Sequence, residues 1–149
     1  METMRRGLAA MVILVVLLFA ASWHKSQASV PQESRKEEIE RGRYLVEEVA
    51  KCAECHTPRD SQGNLVRGRW LQGAPVWIMP VRRDRNWAER VPPLAGFPSL
   101  TEEQGESVLE KGTGPNGEPL RPPMHIYHLR HEDARAIIAY LRSLPQSTP

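Results

Sequence analysis

The sequence predicts a small all-α domain with unusually long loops. Three observations carry that expectation. Helical periodicity recurs in three separated stretches, no stretch shows a convincing strand alternation, and the chain's thirteen prolines and ten glycines point to much loop. A chain of 149 residues is sized for one domain plus a targeting segment.

The first element is apolar. Arg5 and Arg6 precede "LAAMVILVVLLFAA", the fourteen uncharged residues Leu8 to Ala21, and the small, polar "SWHKSQASVPQ" follows. A positive start, a short apolar middle and small residues near a cut describe a secretory signal, with a cut after Ala28 using Ser26 and Ala28 as the small pair. An uncleaved anchor is the competing expectation, since Gly7 to Trp23 reaches the short limit for a membrane span and Trp23 stands where an interfacial aromatic would. Either way the rest of the chain is expected outside the cytoplasm. Residues 1–28 are thus expected to be a signal peptide or N-terminal membrane anchor, 29–37 a linker and helix start, and 38–145 the folded domain. Without residues 1–28 the 20 basic and 18 acidic side chains fall to 17 each, because Arg5, Arg6, Lys25 and Glu2 go with the leader. A neutral domain is no general nucleic-acid binder.

In "SRKEEIERGRYLVEEVAK", Ser34 and Glu37 have capping-box spacing, and Ile39, Gly42, Val46 and Val49 share one face with Leu45 beside them. A helix is expected from about Arg35 towards Lys51. From Thr57 to Leu100, glycines, prolines and the scattered Trp70, Trp77 and Trp87 predict loop. A loop that long suits a compact domain only if it wraps a large apolar object. "TEEQGESVLEKG" predicts a short helix capped by Thr101 and Gln104 and stopped by Gly112. "TGPNGEPLRPPM" is turn chemistry. In "EDARAIIAYLRSLP", Ala134, Ile137, Ile138 and Leu141 follow i, i+3, i+4, i+7; Glu132 and Asp133 favour the first turn and Pro145 closes the helix.

The only two cysteines stand in "KCAECHTPRD", three apart, with His56 next to the second. Chance gives that arrangement about once in two thousand chains of this composition, so it needs a cause. A thioredoxin-like pair would open a helix after a strand, whereas here a helix ends at the pair. Zinc would have to use adjacent Cys55 and His56 and lacks a second ligand pair at finger spacing. A plain disulfide would not require the histidine. Covalent haem uses every residue: Cys52 and Cys55 add to two vinyl groups of one haem, and His56 lies under the ring and ligates the iron. Attachment of this haem c requires reduced cysteines in the exported compartment, in agreement with the leader, and the haem supplies the apolar object the long loop wraps.

With "GRYLVEEVAKCAECHTPRD" at the front, "RPPM" before the last helix and "AIIAYLRSLP" at the end, the chain resembles a class I c-type cytochrome of the bacterial monohaem kind, over about Glu38 to Pro145. The resemblance implies a helical domain around one haem, one-electron transfer rather than catalysis, and redox partner proteins met by transient docking. It implies a crossing of the first and last helices at a glycine and an aromatic, for which Gly42 and Tyr140 are similar candidates. It also implies a methionine as second iron ligand in the turn-rich loop before the last helix. Met124, approached by Pro122 and Pro123, fits that place; His125, His128 and Met79 are the alternatives. Pro75 resembles the family's proline whose carbonyl accepts the proximal histidine's other N–H. Arg59, Trp70 and Trp77 are candidates to bind the haem propionates, and Arg82, Arg83 and Arg85 form a basic patch suited to an acidic redox partner. His131 stands where a serine or threonine cap is expected before the last helix. A haem protein with an open or labile sixth site, and a cytochrome subunit dedicated to one dehydrogenase or oxidase, are the rival functions.

Overall fold

The structure, a computed structural model, describes residues 32–146; the expected leader and the cut after Ala28 lie outside them. Of the described residues, 35–146 belong to one compact unit. Its elements are helices α1 (Gln32–Tyr44), α2 (Ala53–His56), α3 (Glu102–Lys111) and α4 (His131–Ser143), with two-residue strands β1 (Ala74–Pro75) and β2 (Arg90–Val91). The fold is all-α, as the periodicity predicts, and the strands only pin the neck of a loop. Among the described residues, no helix is long and apolar enough to cross a membrane.

α1 begins two residues before Ser34, so Ser34 lies inside the helix and caps nothing, a correction to the expected capping box. The helix runs on as far as expected, but its last turn, Leu45–Val49, is of the wide π type. Ala50 N–H reaches back to the Leu45 carbonyl at 2.8 Å and Cys52 N–H to that of Val46 at 3.0 Å. Lys51 then takes a left-handed conformation, φ 52°, and redirects the chain into α2. Wide turns of this kind are rare and lie frequently at functional sites.

Gly42 lets α1 cross α4. A Cβ there would lie 1.9 Å from the Ala136 carbonyl oxygen and 2.8 Å from Tyr140 Cβ, so only glycine permits the approach, and the expected Gly42–Tyr140 contact is present. Arg41 Nε donates to the Asp133 carboxylate at 2.7 Å, and Tyr140 donates to Glu47, tying both sides of the crossing. The α4 stripe Ala134, Ile137, Ile138 and Leu141 is buried with Val46 and Leu71. α3 carries the expected reciprocal Thr101–Gln104 box and ends on left-handed Gly112, φ 69°. At α4 the cap is Arg130, without a side-chain bond; His131 is the first helical residue and pairs with Glu110 at 2.9 Å.

Between these helices the chain is loop, as expected, organised around Leu71. Its buried N–H donates to the Thr57 hydroxyl at 3.0 Å, and its carbonyl accepts from Leu94 and Ala95. The antiparallel pairing of Ala74 with Val91 and of Pro75 with Arg90 closes the loop Val76–Glu89 at its base.

Candidate haem site

α2 is a single turn, with His56 N–H bonded to the Cys52 carbonyl at 2.9 Å. That turn sets Cys52 and Cys55 on the wall of one apolar cavity together with His56. The cavity has two lobes, of about 230 and 360 Å³, and His56 and Met124 line both. Val91, Leu94, Phe97, Leu100, Val108 and Pro123 complete the shared walls. Size and lining suit a large apolar cofactor.

His56 is held at three atoms. Besides its N–H, its carbonyl accepts from Gly73 N–H at 2.8 Å, and its Nδ1 donates to the Pro92 carbonyl at 2.9 Å. The ring is 5 % exposed, yet Nε2 has no partner within the protein. A buried imidazole nitrogen without a hydrogen bond is costly unless something else occupies its lone pair. With Nδ1 protonated toward Pro92, the Nε2 lone pair is left free to bind a metal. Burial holds the His56 pKa below its ordinary value, outweighing the opposing effect of the Pro92 bond, so the neutral form is favoured. Burial also pushes the free Cys52 thiol up to about 11 and raises that of Cys55.

The acceptor for His56 is therefore Pro92 and not Pro75, which is exposed and paired with Arg90 on the outer strand. Gly73 makes room for this. Its φ is +77°, and a Cβ would lie 2.9 Å from both the Val91 oxygen and the Pro93 nitrogen, so the returning strand can press across it to His56. Met124 N–H closes a turn onto the Arg121 carbonyl at 3.2 Å, and the side chain is half-buried at the cavity. Of the alternatives, His125 reaches the smaller lobe, while His128 lines neither lobe and Met79 stands 84 % exposed elsewhere.

Arg59, Trp70 and Trp77 also line neither lobe. Arg59 stacks on Trp77 with 4.6 Å to the ring centre, and both donate to the Glu54 carbonyl, bracing the backbone between the cysteines. Trp70 packs against the core beneath Arg67. The charged side chains on the larger lobe are Arg90, Glu118 and Arg121. Tyr127, unremarked in the sequence, lines the smaller lobe and donates to the Ala50 carbonyl at 3.2 Å, joining the segment after Met124 to the wide turn before Cys52.

Helices packed around an apolar cavity, with two cysteines and a histidine on one turn and a buried partnerless imidazole nitrogen, are the features that a domain holding a covalently attached, iron-bearing cofactor requires. The cytochrome c family model matches residues 39–145, and the chain belongs to the cytochrome c family. Membership implies covalently bound haem c and electron transfer. The chain is 34 % identical over 116 residues to a diheme cytochrome c-type protein of Cereibacter sphaeroides, covering 72 % of this chain and 36 % of that one. It is 32 % identical over 114 residues to the fructose dehydrogenase cytochrome subunit of Gluconobacter japonicus, covering 70 % and 22 %. The matched region thus spans about a third and a fifth of these relatives.

Proposed function

We propose that the chain is an exported one-electron carrier with a single haem, attached through Cys52 and Cys55 and ligated by His56 Nε2 and the Met124 sulfur. The observation that carries this reading is the buried, partnerless Nε2 of His56 on a cavity that Met124 also lines. Two cysteines suffice for one haem. The haem supplies the Fe(II)/Fe(III) couple when bound.

The chain's own groups make that couple usable. The Pro92 carbonyl fixes the His56 tautomer and orientation. The apolar walls at Leu94, Phe97 and Leu109 keep water from the iron, and a thioether ligand in such surroundings favours a high potential. With His56 and Met124 both ligating the iron, no position on it would be left for a substrate, so the protein would transfer electrons without catalysing a reaction. Partners meet it by brief docking on a small interface. Residues 1–28 direct it across the membrane and are either removed or kept as a tether, which places the domain 38–145 in the periplasm; the mass of the mature protein distinguishes the two.

An absorption spectrum tests the central reading. A c-type pyridine haemochrome, with a weak far-red band in the oxidised folded protein that Met124→Ala abolishes, is the expected result. A protein without covalent haem overturns it. Covalent haem whose far-red region is untouched by Met124→Ala removes the methionine and turns attention to His125 or an open sixth site. The Gluconobacter relative favours a second reading of the same site, a cytochrome subunit dedicated to one dehydrogenase. Co-purification with such an enzyme at fixed stoichiometry would establish it.

A further inference from the structure

We infer that Arg121 is a positioning residue for the sixth ligand and that the loop Val76–Glu89 is the brace it grips. The inference rests on the reading of Met124 as that ligand. Arg121 works from both ends. Its carbonyl accepts from Met124 N–H at 3.2 Å, closing the turn that presents the methionine. Its guanidinium leaves that turn and forks onto the neighbouring loop, Nε donating to the Asn86 carbonyl at 3.0 Å and a terminal nitrogen to the Trp87 carbonyl at 3.1 Å. A third bond runs the opposite way, from Ala88 N–H to the Pro122 carbonyl at 2.7 Å. Three bonds to two consecutive residues fix the turn as a rigid piece rather than at a single point.

The loop is itself made firm where Arg121 holds it. Asn86 N–H bonds the Asp84 side chain at 2.8 Å, and the Trp87 indole bonds the Ile78 carbonyl at 3.2 Å across the loop. Two residues beyond Ala88 the chain enters β2, and directly after β2 comes Pro92, the acceptor for His56. One continuous stretch, 84–92, thus contacts the ligand turn with one end and the proximal histidine with the other. A thioether is a weak ligand, so its bond to iron depends on the backbone that delivers it.

The forked guanidinium is the part that mutation can isolate. Arg121 is exposed, and the two carbonyls it frees can turn to water, so its loss leaves the fold intact. Any ligand that competes with the methionine then meets a turn that opens more often.

The test uses the full-length, haem-loaded, oxidised protein and imidazole as competing ligand. Arg121→Ala is expected to bind imidazole at least tenfold more tightly than wild type and to weaken the far-red band. Arg121→Lys, which reaches one carbonyl, is expected to fall between. Arg83→Ala, which removes an equal charge from the same loop outside the brace, is expected to match wild type. Imidazole affinity within twofold of wild type in Arg121→Ala overturns the inference, as does an equal gain in Arg83→Ala. The ligand reading fails separately: a wild-type spectrum unaltered by Met124→Ala overturns both, whereas a band lost in Met124→Ala and untouched in Arg121→Ala sinks the brace alone.

Discussion

At the scale of single residues, the histidine is controlled by neighbours of two kinds. The cysteines and His56 stand out in the sequence because covalent haem attachment would fix their spacing along one helical turn. Pro92 could not, because it contributes a backbone carbonyl from 36 positions away, and every residue owns a carbonyl. What selects it is Gly73, whose missing side chain admits the returning strand. Gly73→Ala places a Cβ against backbone at a positive φ and is expected to cost about 2–3 kcal/mol, read as a lower urea midpoint at unchanged slope. Thr57 offers a finer probe. Its buried hydroxyl is the acceptor for Leu71 N–H, so the near-isosteric Thr57→Val leaves that donor unpaired and should cost about 1–3 kcal/mol, whereas Thr57→Ser should stay close to wild type. Equal midpoints for the two variants would show that the hydroxyl carries no weight.

At the scale of elements, periodicity made the helices visible and missed what depends on their surroundings. The capping-box spacing at Thr101 marks a cap and the same spacing at Ser34 does not, because the pattern caps a helix only where the helix starts. The wide turn at Leu45–Val49 keeps its apolar residues close to a regular helical spacing, so only the chain's need to redirect at Lys51 reveals it. Thr101→Ala should cost about 1 kcal/mol in thermal or urea unfolding. The α1–α4 crossing predicts a reversal of sign. In an open helix Gly→Ala stabilises by about 1 kcal/mol, but at Gly42 the new methyl meets the Ala136 carbonyl, and Gly42→Ala should destabilise by about 3 kcal/mol. A neutral or stabilising result would mean that the helices can part without loss.

At the scale of the whole molecule, the protein's own apolar core is small and surrounds a cavity. The sequence hinted at this through a middle segment too long and too rich in turns to fold on itself. Replacing both cysteines, Cys52→Ala with Cys55→Ala, is accordingly expected to abolish covalent haem and with it the cooperative far-ultraviolet dichroism melt. The alkaline limit of stability should lie with Tyr140, whose pKa is raised chiefly by burial and then by its bond to Glu47. A phenol easier to ionise when unfolded contributes stability that is whole below its ordinary value of 10.0 and drains away as pH rises above it. Urea midpoints from pH 7 to 11 should therefore show the wild-type advantage over Tyr140→Phe shrinking beyond pH 10; a constant gap would dismiss the effect. The two-residue ladder of β1 and β2 has a practical consequence of another kind. It fastens the neck of the loop, while the tip at Met79 and Val81 stands in solvent, ahead of the stretch 84–88 that holds the turn at Met124. Length near the tip is set by nothing in the interior, so a peptide tag or an electrode linker grafted beside Val81 would leave the wiring of the iron alone.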